Sequence, residues 1–377
     1  MKAVKIIGLL GGLLLGMTQV ASAAPMINLA GVQYVQYGDG QSYSLPYAAL
    51  GLCSGNPCQF DVQSSPGQIS DLVVIATGSE NGPLTTNFAG MDQAYRTPDG
   101  NNSAPFFRTE TATNRGVTGT VNNNGANTWD SSLAALKSFL AGNQIVAFFN
   151  NNNINSQNGS TQSLAAWAQI SITDNLGNVI GIYDFTNNNK PYNLITQGGG
   201  GTFMGDVATY TSAGLGAPDA GTNLNTDYVL SGGAICTTIA GAPVPCGSPG
   251  ALPPVAHNLG ANNAAYAILF PELTSQLNGL FGSVSNADLA LYTLHVDVRM
   301  GCDAATAAGN CTGNGTTVPY GRDLNNGFEQ IFLGTASQVG CARTDPTCNP
   351  VLVPEPGSLA LLGLGLAALA LRRRKAA

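Results

Sequence analysis

The sequence is poor in charged residues, and most of those it has are acidic. Asp, Glu, Lys and Arg make up only 9% of its 377 residues. Six of the 14 basic residues lie at the two ends of the chain, so residues 24–353 hold 8 basic against 20 acidic residues, a formal charge near −12. A protein that binds nucleic acid needs the opposite sign to neutralise the phosphates. This composition excludes nucleic acid as an expected partner.

Histidine is almost missing, and so are the common catalytic motifs. The chain has only His257 and His295, and it contains no Gly-x-Ser-x-Gly or His-Glu-x-x-His sequence. His295 and Asp297 lie two residues apart on one predicted strand face. They can act as a base and its orienting acid, as two metal ligands, or as a charge pair on a solvated face. We favour the charge pair because no nucleophile motif accompanies it, and we predict no enzyme activity, no catalytic residue and no metal ligand.

Long helix-forming stretches are also missing, whereas glycine alone numbers 48. Short strands joined by polar turns account for such a composition. The sequence therefore predicts a mainly β body, an antiparallel β-sandwich-like fold with one or two short helices, and a C-terminal transmembrane helix. The predicted strands cover residues 32–37, 71–76, 144–149, 166–173, 179–185, 228–230, 234–238, 289–300 and 328–333.

Two helices are indicated within the body. The first carries Leu133, Leu136 and Leu140 at helical spacing, and we expect Asp130 to cap its N-terminus. The second begins at Pro271, because proline is acceptable in the first turn of a helix, where its missing N–H would have no partner. Its apolar positions are Leu273, Leu277 and Leu280, and Gly282 ends it.

Three of the predicted strands are expected to be neighbours. Residues 144–149 and 166–173 are predicted to pair as a hairpin across an Asn-rich loop, and residues 179–185 follow as the third strand. The clearest strand is residues 289–300, where apolar and polar side chains alternate. This alternation is what a half-buried antiparallel strand requires. Its apolar face consists of Tyr292, Leu294, Val296, Val298 and Met300.

The eight cysteines fall into four couples of close spacing. The couples are Cys53 and Cys58, Cys236 and Cys246, Cys302 and Cys311, and Cys341 and Cys348. Eight cysteines allow about 105 pairings, of which the four local ones are the simplest. Metal binding is the alternative, but no couple has the two-residue spacing of a zinc knuckle and few histidines are available. We therefore predict four local disulfides in an exported chain.

The N-terminus predicts export. Residues 1–23 combine an early pair of lysines, an apolar stretch and the small residues Ala-Ser-Ala. This is the pattern of a cleaved signal peptide, with the cut between Ala23 and Ala24. The chain would then pass through the Sec translocon. The exported body would be residues 24–353, with an internal boundary possible near the proline-rich residues 243–254.

The C-terminal end has three parts. They are Pro354, Glu355 and Pro356, the apolar residues 357–371, and the basic tail Arg372, Arg373, Arg374 and Lys375. As a helix the apolar run would be about 22 Å long, short of the ~30 Å hydrocarbon core unless the arginine side chains reach the interface. The basic tail belongs on the cytoplasmic side, which places the body outside the inner membrane.

This arrangement resembles the PEP-CTERM sorting signal of Gram-negative bacteria. An ordinary membrane anchor explains the apolar run and the arginines, but not the Pro-Glu-Pro motif at the helix start. The resemblance implies that residues 354–377 are the sorting signal and that exosortase, a membrane protease, recognises Pro354, Glu355 and Pro356. It further implies transient anchoring in the inner membrane, followed by delivery to the cell surface or the extracellular matrix.

The role of the body is open to three interpretations. The resemblance implies a structural or adhesive protein of the biofilm matrix, with exopolysaccharide as a partner. A glycan- or calcium-binding module is the alternative, because residues 99–102 and 174–178 are loops whose oxygen atoms suit a hard cation. A secreted hydrolase is the least favoured, since no catalytic triad or carboxylate pair is identifiable. No cofactor other than calcium is expected.

Overall fold

The fold is mainly β, as predicted. It is seen in a computed structural model that describes residues 26–32, 34–52, 58, 60–64, 73–78, 87–97, 106–109, 128–151, 166–186, 234–237, 239, 243–244, 249–260, 263–301 and 329–338. In chain order the elements are β1 (Met26–Asn28), β2 (Val35–Tyr37), β3 (Gly40–Ser44), α1 (Leu45–Leu52), β4 (Val73–Thr77), β5 (Tyr95–Arg96), β6 (Phe106–Arg108), β7 (Trp129–Ser132), α2 (Leu133–Leu140), β8 (Gln144–Asn150), β9 (Ala166–Thr173), β10 (Val179–Thr186), β11 (Ala234–Thr237), β12 (Pro243–Val244), β13 (Val255–Ala256), β14 (Tyr266–Leu269), α3 (Pro271–Ser283), α4 (Asn286–Leu289), β15 (Thr293–Gly301) and β16 (Gln330–Gln338).

The larger sheet has eight strands. Its order is β2-β3-β14-β8-β16-β4-β5, and β1 pairs with β16. The middle strands are apolar on both faces, as expected for strands covered on both sides. On β8, Ile145 and Phe149 face one core while Val146 and Phe148 face another. We call these the inner core and the outer core; the outer core also contains Leu45 and neighbouring side chains of α1.

The second sheet has five strands and packs against the first. Its order is β10-β9-β15-β6, and β7 also pairs with β15. Leu294, Val296 and Val298 of β15 are buried and belong to the same inner core as Ile145 and Phe149. The two large sheets therefore face each other across one core, and the alternation predicted for β15 is confirmed. A cavity of about 60 Å³ with an apolar lining lies between them.

The small sheet lies at the proline-rich stretch of the chain. Its order is β12-β11-β13, and all its pairs are antiparallel. Strands that precede residues 243–254 and strands that follow them are hydrogen-bonded in both large sheets, as β8 with β14 and β9 with β15 show. The described residues on either side of this stretch thus share the same two sheets.

Helices α2 and α3 are those that the leucine spacing and the proline predicted. Leu133, Leu136 and Leu140 are buried along α2, and α3 begins at Pro271. The cap of α2 was predicted wrongly: Ser132, whose side chain accepts from the N–H of Ala135, occupies the N-cap position. Asp130 lies two residues earlier, inside β7, because a short strand leads directly into the helix. A serine side chain satisfies a helix N–H as well as an aspartate does.

The outer edge of β10 is occupied by other parts of the chain. Gln276 of α3 donates to the carbonyl of Ile180 at 2.7 Å. The N–H of Asp39 donates to the carbonyl of Asp184 at 2.7 Å, and the N–H of Asp184 donates to Asp39 Oδ2 at 2.9 Å. Gly38 precedes this contact with a φ of 67°, and any Cβ there would collide with the carbonyl oxygen of Asp184. These contacts cover an edge that would otherwise be open to another strand.

The predicted hairpin of residues 144–149 and 166–173 is wrong. β8 lies in the eight-stranded sheet and β9 in the five-stranded sheet, so the two strands do not pair. The physical reason is visible in their patterns: β8 is apolar on both faces and suits the centre of a covered sheet, whereas β9 alternates and suits a half-exposed one. The neighbouring pair β9 and β10 does form an antiparallel hairpin, as predicted.

The fold class differs from the prediction in detail. Two strand pairs, β1 with β16 and β4 with β5, are parallel, so the larger sheet is mixed. The described residues form four helices instead of one or two. Among them no helix has both the length and the apolar character to cross a membrane. The predicted transmembrane residues 357–371 lie outside the described residues.

Candidate functional site

His295 lies on the face of the five-stranded sheet that points away from the inner core. It belongs to β15, where its neighbours Leu294 and Val296 point into that core. In the sheet register, His295 is opposite Ser171 of β9 on one side and opposite Asp130 of β7 on the other. Side chains from three strands therefore meet around this histidine.

His295 bridges an acid and a hydroxyl. Its Nδ1 is 2.8 Å from Asp130 Oδ1, and its Nε2 is 2.9 Å from Thr173 Oγ1. The side chains of His295 and Asp130 are 12% and 3% exposed. A carboxylate accepts hydrogen bonds, so Nδ1 carries the proton and Nε2 is free to accept from the threonine hydroxyl. We call this arrangement the Asp130–His295–Thr173 triad.

Asp130 is held in place by its own contacts. The hydroxyl of Thr128 donates to Asp130 Oδ1 at 2.7 Å. The N–H of Asp130 donates to Asp92 Oδ2 at 3.0 Å, and the N–H of Asp92 donates to the carbonyl of Asp130 at 2.8 Å. The adjacent Trp129 is fully buried and donates from Nε1 to the carbonyl of Asp92 at 3.1 Å. These bonds fix both the strand and the carboxylate that orients His295.

Asp297 shares the strand face with His295 but has a different partner. The hydroxyl of Thr109 donates to Asp297 Oδ1 at 2.6 Å and accepts from the N–H of Val298 at 3.1 Å. The acid bonded to His295 is Asp130, 165 residues away in sequence. Sequence reasoning placed His295 on the correct face and missed both of its partners, because each comes from a strand distant in the chain.

The triad has the same order of groups as the catalytic acid, histidine and hydroxyl of serine hydrolases. Acyl transfer also needs N–H donors aimed at the developing oxyanion. The strand around Thr173 is paired with Val179 on one side and Thr293 on the other. The next N–H, that of Asp174, donates to the carbonyl of Asn178 at 2.9 Å. The described main chain beside the Thr173 hydroxyl therefore forms part of the sheet and of the turn.

Asp174 organises the turn between β9 and β10. Its Oδ1 accepts from the N–H of Leu176 at 2.9 Å and from the N–H of Asn178 at 2.8 Å. Its Oδ2 accepts from the side chain of Asn178 at 3.0 Å, and this bond is the main cause that lowers the pKa of Asp174. The turn's own N–H groups therefore satisfy the carboxylate. Residues 99–102, the other loop predicted to suit a cation, lie outside the described residues.

Most of the chain matches a known protein family. A family described as a domain of unknown function, DUF8239, matches residues 26–299. The chain belongs to the DUF8239 family. The PEP-CTERM protein-sorting motif matches residues 352–375, which confirms the resemblance predicted from the tail. No curated protein and no solved structure matches the chain.

The DUF8239 match includes the whole triad but not the whole fold. It ends at residue 299, within β15. β16 follows that end, and it pairs with β1, β4 and β8 in the interior of the eight-stranded sheet. In this chain the sheet is therefore completed by residues beyond the family match.

The PEP-CTERM motif is the recognition signal of exosortase and implies export with processing at the membrane. Its residues Pro354, Glu355 and Pro356, and the basic tail from Arg372 to Lys375, lie outside the described residues. The predicted signal-peptide cut between Ala23 and Ala24 also lies outside them.

Two of the eight cysteines fall within the described residues. Cys58 and Cys236 are both disulfide-bonded. No free cysteine is found in the described part of the chain. The four local pairings stay a prediction, because the remaining six cysteines lie outside it.

Proposed function

We propose that this DUF8239 protein is a non-enzymatic component of the cell surface or extracellular matrix, with a structural or adhesive role in a biofilm or exopolysaccharide matrix. The observation that carries the proposal is the PEP-CTERM motif at residues 352–375. A signal read by exosortase directs the body out of the cytoplasm. The body then acts where polysaccharides and other surface polymers are its neighbours.

The architecture of the body supports a structural role. The strands in the middle of its larger sheet are covered on both faces, and the edge of β10 is occupied by α3 and by the turn before β3. Such a body suits a durable structural module.

The outer face of the five-stranded sheet supports an adhesive role. Gln169, Ser171, Thr173, His295 and Asp297 lie on this face and are partly exposed. They present amide, hydroxyl, imidazole and carboxylate groups on one surface. A surface of this kind can exchange hydrogen bonds with the many hydroxyl groups of a polysaccharide, often through bridging water. This surface is the proposed contact with the matrix.

The sorting step is tested by Glu355→Ala in the native host. Glu355 contributes little to membrane partition, so the variant is expected to insert as the wild type does and to remain cell-associated. Asp345→Ala, which also removes an acidic side chain but lies outside the matched segment 352–375, is the matched control and is expected to be released normally. Immunoblots of membrane, surface and medium fractions give the distribution. Normal release of the Glu355 variant would contradict processing at this motif.

The matrix role is tested in the same strains by the amount and cohesion of biofilm. We expect loss of the protein and retention by Glu355→Ala to weaken the matrix equally, since both leave the surface without the body. A variant released normally but carrying Ser171→Ala with Gln169→Ala is expected to reach the surface and to bind exopolysaccharide less. Unchanged biofilm in a strain that lacks the protein would contradict the matrix role.

A further inference from the structure

The cavity between the two large sheets lies in the middle of the inner core. Its volume is about 60 Å³ and its lining is entirely apolar. Side chains from β4, β8, β14 and β16 line it on one side, and side chains from β9, β10 and β15 line it on the other. Protein interiors are close-packed, so a cavity at this position needs a physical cause.

One cause is a row of side chains in the eight-stranded sheet. The register places Ala147 of β8 between Leu333 of β16 and Ile268 of β14. All three side chains line the cavity. The smallest of them is in the middle of the row, so the inner face of this sheet has a depression at Ala147.

The five-stranded sheet contains a row of the same kind. Ala168 of β9 lies between Phe185 of β10 and Val298 of β15. These three side chains also line the cavity. Again an alanine separates two larger residues, so each sheet has a depression that opens into the same cavity.

The two alanines leave this space unfilled. Packed sheets are about 10 Å apart, and an alanine side chain is a single methyl group. Ala147 and Ala168 are only partly buried, although each is on a strand that has a paired neighbour on both sides. Ile170 and Ile268, each 7% exposed, are on such strands as well. The surface that these four residues retain therefore faces the cavity.

The chemistry of the lining selects an apolar guest. Water in a cavity needs two to four polar partners, and this lining provides none, so the cavity is expected to stay dry. Atoms that face an empty space lose the dispersion contacts that a packed neighbour would give them. A molecule without hydrogen-bonding groups restores those contacts and gives up no hydrogen bond to water on entering.

The volume limits the size of the guest. A cavity holds one water molecule from about 10–15 Å³ upward, so about 60 Å³ corresponds to roughly three to four heavy atoms. An engineered apolar cavity of about 150 Å³ in another protein binds benzene or xenon. The guest of the present cavity is thus smaller than benzene.

We propose that this cavity is a binding site for a short hydrocarbon of about the size of propane. Ala147 and Ala168 provide the space, and the branched side chains around them provide the contacts. The site is separate from the outer face of the five-stranded sheet, so it does not rest on the proposed adhesive function. It is also independent of the sorting step.

Xenon is the probe for this site, and the assay is isoleucine methyl NMR of the purified full-length chain under increasing xenon pressure. We expect saturable shifts for Ile170 and Ile268, which line the cavity. Ile27 lies in the outer core and serves as the internal control, for which we expect no saturable shift. Propane is expected to displace xenon, whereas benzene is not. Displacement by benzene, or none by propane, would contradict the size and class assigned to the guest.

Two variants fill the cavity from opposite sheets. Ala147→Val and Ala168→Val each add two methyl groups to it, and each is expected to lose the saturable xenon shifts. Ala30→Val makes the same change at an exposed position and is expected to bind xenon as the wild type does. The Ile27 methyl signal shows whether each variant has kept the fold. Equal, non-saturating shifts at all three isoleucines of the wild type would overturn the proposal, as would undiminished xenon binding by either folded cavity variant.

Discussion

Replacing Asn87 with Asp is expected to destabilise the protein by about 3 kcal/mol. The Asn87 side chain is 4% exposed and binds both the N–H and the carbonyl of Val74 in β4. Its Oδ1 accepts from the N–H of Val74 at 2.9 Å, and its Nδ2 donates to the carbonyls of Val74 and Asp92 at 2.8 and 2.6 Å. Because Asp92 is bonded to the strand that carries Trp129 and Asp130, this one amide links the two large sheets.

The magnitude follows from which bonds an aspartate keeps. Its carboxylate still accepts from the Val74 N–H, but it cannot donate to either carbonyl. The Asp92 carbonyl retains the Nε1–H of Trp129, so the main orphan is the carbonyl of Val74. An orphaned buried carbonyl costs about 1–3 kcal/mol. A negative charge held against two carbonyl oxygens in a buried site adds a penalty of similar size, unless it is protonated.

The assay is equilibrium unfolding in urea with the disulfides intact, read as a change in midpoint at constant slope. Asn28→Asp is the matched control. Asn28 is exposed, and its Oδ1 accepts from the N–H of Ala30 at 2.9 Å, a role that an aspartate retains. We expect the control to change stability by less than about 0.5 kcal/mol. An Asn87→Asp variant as stable as the control would refute the role assigned to the amide.

Three further results are expected. Ala147→Val places two methyl groups in the apolar cavity of about 60 Å³ and should stabilise the protein by up to about 1.4 kcal/mol in the same urea assay. A loss of stability would mean that the cavity cannot accept the two methyl groups. Thr173→Val removes the hydroxyl bonded to Nε2 of His295, whose side chain is partly exposed, and should cost less than about 1 kcal/mol. The variant and the wild type should show the same ester hydrolysis. Hydrolysis that is present in the wild type and lost in the variant would contradict the non-enzymatic proposal. Because the pKa of Asp174 is lowered, the stabilising effect of its carboxylate is complete at neutral pH and is lost as the pH falls through that pKa. Carboxyl NMR should therefore show a low titration midpoint for Asp174, and this midpoint should rise in Asn178→Ala. An unchanged midpoint in the variant would exclude the side-chain bond as the cause.

Local patterns predicted the elements whose physics is local. The alternation along β15 shows one face buried and the other partly exposed, because the period of a strand is set by its own backbone. The leucine spacing of α2 and the proline at the start of α3 worked for the same reason. Propensity, periodicity and caps within about ten residues are enough for such elements.

Local sequence patterns did not predict which strands pair with each other. β8 and β9 are close in sequence, and proximity favoured a hairpin between them. The decisive feature is that β8 is apolar on both faces, with Val146 and Phe148 in the outer core and Ile145 and Phe149 in the inner one. A strand with two buried faces must lie inside a covered sheet, which is information about burial that proximity does not contain.

The candidate sites depend on still longer-range contacts. His295 was placed correctly on the strand face that points away from the inner core, but its bonds to Asp130 and Thr173 depend on β7 and β9 lying on either side of β15.

The central claim, that the tail is a processing signal for an exported body, is tested most directly by the intact mass of the protein extracted from the surface of its native host. We expect a mass that lacks at least Arg372 to Lys375, because the basic end serves to hold residues 357–371 in the inner membrane until exosortase acts. A surface protein that retains the complete tail would contradict this account and leave the apolar run as an ordinary anchor.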